Sequence, residues 1–256
     1  MMGNSIAKVA AVDFGIQWAA WAVAAFFQTE KFYDLTGSLT YISLTLLSLQ
    51  SNKSLHTRQK VNSSMVLAWA ARLGLYLFSR VLHDGKDSRF DKVRHRPGIF
   101  LVYWTIQGVW VLSTLLPVLI VNQKKDNRPV NQQDYLGWGL WGLGFLMEVL
   151  ADYQKSQFRS DPSNAGKFIS SGLWSISRHP NYFGEILMWL GIYVSSRSTF
   201  QGWEHVGVVS PIFLTYLLTR LSGIPLLEAA GMKRWGTDPA YLAYIRNTAC
   251  LVPFIW

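Results

Sequence analysis

A run of polar residues around a proline is the part of the sequence best suited to chemistry. Arg178 and His179 precede Pro180, which fits the first turn of a helix, and a helix N-terminus favours anions. Asn181 and Glu185 are four residues apart and therefore share one helical face. A cation, an amide and a carboxylate gathered in this way predict a binding site for a nucleotide cofactor. The alternative is an aromatic and basic belt at a membrane surface with a helix cap.

A second polar set precedes this run and repeats at helical spacing. It consists of Glu148, Asp152, Lys155 and Arg159. Intervals of four, three and four residues place the set on one face of a helix that continues past an apolar block. The two bases suit phosphate groups, because Arg makes bidentate contacts with them, and the acids suit ribose hydroxyls. The same spacing also fits a surface salt-bridge ladder, so both interpretations stay open.

Charged residues also occur inside apolar blocks, where each one is energetically costly. Arg72, Tyr76 and Arg80 follow one another at intervals of four and share a helical face. We interpret this face as the polar wall of a cavity, although arginines can also extend their charged ends to the headgroup layers. Asp13 and Gln17 form a similar pair, which suits either a site or hydrogen bonding between helices.

The composition around these residues is that of a membrane protein. Of 256 residues, 50% are hydrophobic and 15% are charged, whereas a soluble domain usually carries about 25% charged residues. The net charge of +9 does not predict nucleic-acid binding, because the basic residues lie between apolar blocks. Anionic lipid headgroups and an anionic cofactor are the expected partners. Cys250 is the only cysteine, so the sequence predicts no disulfide framework, no cysteine metal cluster and no metal site.

Seven apolar blocks predict an all-α, polytopic bundle of about seven transmembrane helices, since a span requires about 20 mostly apolar residues. The second, fifth and sixth blocks are short. Barrel strands are not indicated, because the blocks lack sustained alternation. The first block is interpreted as a retained span and not as a cleaved signal peptide. The predicted spans are Ile6–Phe27, Leu35–Leu49, Met65–Leu82, Ile99–Val121, Tyr135–Leu150, Tyr182–Ser196 and Val206–Leu221.

The connections between the predicted spans differ in charge. One side receives the loop with Lys31, the loops 83–98 and 151–181, and the tail after Leu221, and it holds the larger share of the Lys and Arg residues. Lys and Arg favour the cytoplasmic side. We therefore expect a cytoplasmic C-terminus and an N-terminus in the lumen or outside, with the longest polar segments on the cytoplasmic face.

The string RHPNYFGE at residues 178–185 resembles the core motif of the steroid 5-alpha-reductase C-terminal family and of the related sterol C=C reductases. Asp152, Lys155 and Arg159 match that family's D-x-x-K-x-x-x-R-like segment. The tail from Glu228 to Tyr244 is similar to the family's acidic-then-tyrosine ending. The resemblance covers about residues 135–256 and extends weakly into the third predicted span and the loop after it.

The resemblance implies a single membrane domain, residues 1–256, that binds NADPH from the cytoplasmic side. Residues 1–134 would form a substrate cavity and residues 135–256 the cofactor-binding part. Lys155 and Arg159 would contact cofactor phosphates, and Asp87 and Arg89 would help to close the pocket. The implied cofactor-binding residues are Arg80, Asp152, Lys155, Arg159, Trp174, Arg178, His179, Asn181, Tyr182, Glu185, Glu228, Tyr241 and Tyr244.

The implied chemistry is hydride transfer to a C=C bond of a hydrophobic lipid or steroid-like substrate. If that bond is conjugated to a carbonyl, an acid must hydrogen-bond the developing enolate oxygen. Tyr76 is the predicted catalytic donor, because it shares the polar face of the third span. The family's donor pair is a Tyr and a Glu from the N-terminal half. Glu30 is the only glutamate before the fifth predicted span, and its sequence surroundings do not mark it.

Two other functions fit parts of the same pattern. The isoprenylcysteine carboxyl methyltransferases also carry an RHPxYxG core and a late acidic tail, but they bind S-adenosylmethionine. Glu185 and the phosphate-suited Lys155 and Arg159 favour a dinucleotide instead. A lipid-binding membrane protein without catalysis would keep the basic residues and lack the acid. A Rossmann site is not indicated, because no fitting G-x-G-x-x-G is present. The family location in a eukaryote is the endoplasmic reticulum.

Overall fold

The described part of the chain is helical. The computed structural model describes residues 2–50, 54–126 and 128–255, and among these residues there is no β-strand. Short 3-10 turns lie between several of the α-helices. The α-helices are α1 (Met2–Phe26), α2 (Tyr33–Leu49), α3 (Thr57–Asp84), α4 (Pro97–Asn122), α5 (Gln132–Ser160), α6 (Pro180–Arg197), α7 (Val209–Tyr216), α8 (Ile224–Trp235) and α9 (Pro239–Asn247).

Each predicted span overlaps helical residues, which confirms the all-α prediction. Within the described residues, four segments are long and apolar enough to cross a membrane, and they indicate an integral membrane protein. They are Ile6–Phe26, Thr57–His83, Pro97–Asn122 and Gly202–Trp235. The number of seven crossings, the cytoplasmic face and the orientation of the termini stay predictions.

The last of these segments is not one regular helix. A 3-10 stretch, Gly202–Val208, leads into α7, and a π-helical turn at Leu217–Leu221 follows α7 before α8 begins. Pro225 lies in the first turn of α8, where its missing N–H has no helical partner to lose. The predicted seventh span therefore ends in an irregular turn, and a further helix that carries Glu228 follows it.

Two compact units make up the described chain. The first comprises the described residues up to Asp134 together with Ser195–Ser210, and it contains α1 to α4. The second comprises Tyr135–Val194 and the described residues from Pro211 onward, and it holds most of α5 and α6 together with α8 and α9. Tyr76 and Arg80 belong to the first unit, as do Asp87 and Arg89, and the other predicted cofactor-binding residues belong to the second.

An aromatic core in the first unit includes part of a connection. Phe90 lies between α3 and α4, and it is buried against Phe100 and Trp104 of α4. Its ring centroid lies 4.7 Å from that of Tyr33. Burying such a side chain contributes about 1.5–3 kcal/mol, so Phe90 itself anchors the connection.

The first unit also contains a buried ion pair. The side chains of Arg58 and Asp134 are 4% and 0% exposed, and two nitrogens of Arg58 lie 2.5 and 2.6 Å from the two carboxylate oxygens. Ser198 and the backbone N–H of Asn131 also donate to Asp134, at 3.3 and 2.8 Å. Arg58 donates further to the carbonyl of Pro129 at 3.2 Å. These additional hydrogen bonds offset the cost of removing both charges from water.

Close packing of α5 on α6 positions the polar residues of the second unit. A Cβ on Gly184 of α6 would lie 2.6 Å from the carbonyl oxygen of Gly144 and 2.8 Å from the backbone nitrogen of Glu148. The two backbones therefore approach at a distance that only glycine permits, as is common where membrane helices meet. This approach sets the start of α6 beside the part of α5 that carries Asp152 and Lys155.

Candidate functional site

The segment before α6 is tied to the C-terminal tail of the second unit. The backbone N–H of Arg178 donates to the carbonyl of Ala249 at 2.9 Å, and the Ser177 hydroxyl donates to the carbonyl of Leu251 at 2.7 Å. α6 then begins at Pro180, as predicted. The two backbone contacts fix the position from which the basic side chains before α6 extend.

Glu228 of α8 joins the two basic residues that precede α6. Its Oε1 lies 2.8 Å from Nε2 of His179, and its Oε2 lies 3.2 Å from Nη1 of Arg178. His179 is only 4% exposed. Burial lowers the pKa of His179, the carboxylate of Glu228 opposes this shift, and the positive charges of Lys155 and Arg178 add to it. The imidazole is therefore neutral near pH 7. Because a carboxylate only accepts, the ring proton is on Nε2.

Buried polar atoms of two residues in this group make no hydrogen bond to the described residues. Among the described residues, Nδ1 of His179 and Nε of Arg178 are buried and have no hydrogen-bond partner. A buried polar group without a partner costs about 1–3 kcal/mol. The ring of Tyr182 stacks on the imidazole, with centroids 5.7 Å apart and an angle of 9° between the planes. Glu228 and Tyr182 thus hold the ring while Nδ1 keeps a lone pair.

Two residues of α5 contact the segment around the start of α6. Nδ2 of Asn181 donates to Oδ1 of Asp152 at 3.2 Å. Nζ of Lys155 lies 4.3 Å from the ring centroid of Trp174, which is a cation–π contact. Trp174 is buried and donates from Nε1 to the carbonyl of Ala151 at 3.0 Å. Four residues that the sequence assigns to one site are therefore gathered in the second unit.

The predicted polar face of α5 passes from buried to exposed along the helix. α5 continues to Ser160, which confirms the predicted extension. Glu148 and Asp152 are buried, whereas Arg159 is exposed in the last turn. The two acids therefore do not lie on the surface, as a surface ladder would require, and the roles of the four residues stay predictions. Glu185 is half-buried on α6.

Tyr241 and Tyr244 of α9 belong to an aromatic cluster. Their ring centroids lie 5.0 and 5.4 Å from that of Phe168, which also lies 5.9 Å from Trp235. The hydroxyl of Tyr244 donates to the carbonyl of Trp174 at 2.7 Å. Burial raises the pKa values of both tyrosines, so their hydroxyls stay protonated. The contacts of Phe168 with this cluster were not predicted, because in the sequence it is a single aromatic residue in a polar connection.

The predicted polar face of α3 lies in the first unit. Cζ of Arg72 lies 5.1 Å from the ring centroid of Tyr76, which confirms that these two residues share a face. Nη2 of Arg80 lies 3.9 Å from Oδ2 of Asp34, and both Tyr76 and Arg80 are half-buried. The catalytic role of Tyr76 and the cofactor role of Arg80 stay predictions.

Residues between α3 and α4 form ion pairs with acids elsewhere in the first unit. One of these acids lies between α1 and α2, and another lies at the start of α2. Arg89 lies 2.8 Å from Asp34 and 2.5 Å from Asp87. Burial opposes ionisation of Asp87, but hydrogen bonds from Arg89 outweigh it and hold the pKa of Asp87 below its usual value. Glu30 is buried and lies 2.8 Å from Arg94. Sequence reasoning missed this environment of Glu30, because the partners are far apart along the chain.

The polar pair of α1 is completely buried. Nε2 of Gln17 donates to Oγ1 of Thr40 at 3.1 Å and so joins α1 to α2. Asp13 lies one turn earlier on α1 and is buried as well. For Gln17, the interpretation as a hydrogen bond between helices is confirmed.

Comparison with known proteins relates the chain to proteins named as a sterol reductase, a steroid dehydrogenase and a probable methyltransferase. The chain is 24% identical over 182 residues to the Delta(14)-sterol reductase of Arabidopsis thaliana, a match that covers 62% of this chain and 44% of that protein. It is 32% identical over 120 residues to the 3-oxo-5-alpha-steroid 4-dehydrogenase 1 of Rattus norvegicus, covering 46% and 40%. It is 26% identical over 94 residues to a probable O-methyltransferase of Ustilaginoidea virens, covering 34% and 33%.

The chain spans less than half the length of these curated relatives. No solved structure matches it. The family described as "Protein of unknown function (DUF1295)" matches residues 20–248, which is most of the chain. The chain therefore belongs to the DUF1295 family, which is the steroid 5-alpha-reductase-like family.

Proposed function

We propose that the chain is a membrane-embedded reductase that uses NADPH to reduce a C=C bond of a hydrophobic, steroid-like substrate. Membership of the steroid 5-alpha-reductase-like family supports a reductase, and two of the matched relatives are named as a sterol reductase and a steroid dehydrogenase. The observation that carries the proposal is a convergence in the second unit. There, Arg178 and His179 meet Glu228, while Asn181 meets Asp152.

The side chains of the second unit fit a dinucleotide that bears phosphates. Nε of Arg178 is buried without a hydrogen-bond partner in the described residues, and it is a donor suited to an anionic oxygen. Lys155 and Arg159 would hold the phosphates, and Asp152 would accept from ribose hydroxyls. The remainder of the site would be lined by Trp174, His179, Asn181, Tyr182, Glu185, Glu228, Tyr241 and Tyr244. NADPH, when bound, would supply a hydride.

A methyltransferase is the second candidate, because one relative is named as a probable O-methyltransferase. S-adenosylmethionine carries a positive sulfonium and no phosphate. Its single carboxylate would leave most of the positive charge of Lys155, Arg159 and Arg178 without an anionic partner, whereas the phosphates of NADPH would match that charge. Charge therefore favours the dinucleotide.

The substrate side of the reaction requires an acid. We propose that the hydroxyl of Tyr76 donates to the developing enolate oxygen, with the guanidinium of Arg72 favouring negative charge nearby. Tyr76→Phe removes the hydroxyl and keeps the ring, so we expect turnover to fall by about 100-fold or more with NADPH affinity unchanged. Tyr135→Phe, at an exposed position, is the matched control. Normal turnover in Tyr76→Phe would remove Tyr76 from the mechanism.

The proposed function is tested with the purified full chain in detergent. NADPH oxidation is followed with a panel of a steroid 4-en-3-one, a ring-unsaturated sterol and a polyprenyl enal, and products are identified by mass spectrometry. We expect at least one substrate to gain two hydrogens, one of them from isotopically labelled NADPH. If no product in the panel carries the isotope from NADPH, and the chain transfers a methyl group from S-adenosylmethionine to an isoprenylated acid, the methyltransferase function would be established instead.

A further inference from the structure

We propose that His179, Glu228 and Cys250 form a binding site for a divalent cation of the zinc class. One potential ligand atom from each of the three lies within 4.8 Å of the others. Proteins bind Zn²⁺ through these ligand types, imidazole nitrogen, carboxylate oxygen and cysteine sulfur, at about 2.0–2.3 Å. Ligand atoms around a tetrahedral ion are therefore roughly 3.3–3.8 Å apart, so shifts of about 1 Å would close the site.

Nε2 of His179 and Oε1 of Glu228 are already close to the separation of two ligands on one ion. They lie 2.8 Å apart and share the proton of a hydrogen bond. An ion bound between them would take the place of that proton, and the ring proton would move to Nδ1. In the part of the chain that the structure describes, Nδ1 is buried and has no hydrogen-bond partner, so no acceptor role there opposes the change. Oε2 of Glu228 would keep its contact with Arg178 at 3.2 Å.

The backbone places Cys250 next to His179. The N–H of Arg178 donates to the carbonyl of Ala249 at 2.9 Å. This bond brings together His179 and Cys250, the residues that follow these two. The hydroxyl of Ser177 extends this pairing by its bond to the tail at Leu251. Cys250 is half-buried, so its sulfur is in reach of an ion from solvent. A site held by such fixed segments needs little reorganisation to bind.

Charge sets the expected strength of the site. Arg178 lies against Glu228, and both Arg178 and Lys155 act on His179, so neighbouring positive charge opposes a cation. Thiolate and carboxylate ligands supply the opposite charge. We therefore expect affinity in the micromolar range, weaker than that of a closed structural zinc site. His179 and Glu228 also belong to the proposed cofactor site. The cation would consequently exclude the dinucleotide, and this last step rests on the proposed function.

The test uses Co²⁺ with the full chain in detergent, after removal of bound metal with a chelator. Cys250 is the only cysteine, so a thiolate-to-cobalt charge-transfer absorption reports coordination by its sulfur directly. We expect this absorption to saturate at one ion per chain and to vanish on addition of Zn²⁺. Cys250→Ser should abolish it and weaken Co²⁺ binding at least about 10-fold. His205→Gln, an exposed histidine outside the cluster, should leave it unchanged, and thermal unfolding checks that each variant is folded.

The outcomes separate the cation site from the proposed function. No charge-transfer absorption in the unmodified chain, or equal Co²⁺ affinity in Cys250→Ser and His205→Gln, would overturn the cation site. NADPH binding measured without metal tests the function independently. If NADPH binds, saturating amounts of it should reduce the absorption, and an unaltered absorption would overturn the claim that the two sites share residues.

Discussion

Two arginine–carboxylate pairs, one in each unit, are built differently. Arg58 and Asp134 are 4% and 0% exposed, make two short contacts and accept or donate further hydrogen bonds. Arg178 and Glu228 are 13% and 26% exposed and meet in one contact of 3.2 Å. Nε of Arg178 has no hydrogen-bond partner within the described residues. A pair whose polar atoms are all used supports the fold, whereas a pair with an unused buried donor is suited to bind a ligand.

The largest effect is expected from breaking the buried pair of the first unit. Asp134→Ala leaves the guanidinium of Arg58 buried without its counter-charge. We expect the free energy of unfolding to fall by about 3–5 kcal/mol, measured by thermal or denaturant unfolding in detergent. A loss below about 1 kcal/mol would contradict the view that this pair supports the fold.

The corresponding change in the second unit should act on binding instead. Arg178→Ala leaves Glu228 partly exposed and still hydrogen-bonded to His179, so the melting temperature should change little. NADPH affinity should fall about 10- to 100-fold, because a charged hydrogen bond contributes about 1.5–3 kcal/mol. Arg246→Ala, an exposed arginine of α9, is the matched control for calorimetric titration. Unfolding of Arg178→Ala, with unchanged NADPH affinity in the folded fraction, would show that this pair supports the fold and not binding.

The contact between α5 and α6 tests how the second unit positions its polar residues. A Cβ at residue 184 would meet backbone atoms of α5, whereas a Cβ at Gly139 would meet nothing within 4 Å. We expect Gly184→Ala to destabilise the protein by about 1–3 kcal/mol and to weaken NADPH binding. Gly139→Ala should be neutral or stabilising by up to about 1 kcal/mol. Equal unfolding temperatures for the two variants would show that the close approach is not needed.

The smallest effect is expected at an exposed pair. Lys86 lies 3.1 Å from Asp91, with side chains 60% and 38% exposed. Lys86→Ala should change the unfolding free energy by less than about 1 kcal/mol, and high salt should reduce even that difference. A loss as large as that of Asp134→Ala would mean that burial does not distinguish the ion pairs of this protein.

Local patterns in the sequence predicted the helices and where some of them begin or continue, because these features depend on residues close together in the chain. Apolar blocks predicted the helices, and the proline predicted the start of α6. The three- and four-residue intervals predicted that α5 continues through Arg159, and it ends at Ser160. The motif around Arg178 predicted residues that do meet in the second unit. In each case, the structure depends on residues within one or two helical turns of each other, through helical spacing or the way a helix begins.

Contacts between distant segments were not predictable in this way. Arg58 and Asp134 are 76 residues apart, and Glu30 finds its partner in another connection. Cys250 reaches His179 only because the tail returns to pair with the segment before α6. The π-helical turn after α7 was also not predicted. Its apolar residues continue the pattern of the span before it, whereas its backbone departs from α-helical hydrogen bonding.

Direct binding of the two candidate cofactors tests the central claim most sharply. The full chain, freed of metal and purified in detergent, is titrated with NADPH and separately with S-adenosylmethionine by calorimetry, for the unmodified protein and for Arg178→Ala. We expect saturable binding of NADPH that weakens in Arg178→Ala, and no saturable binding of S-adenosylmethionine. Saturable binding of S-adenosylmethionine with none of NADPH would contradict this claim.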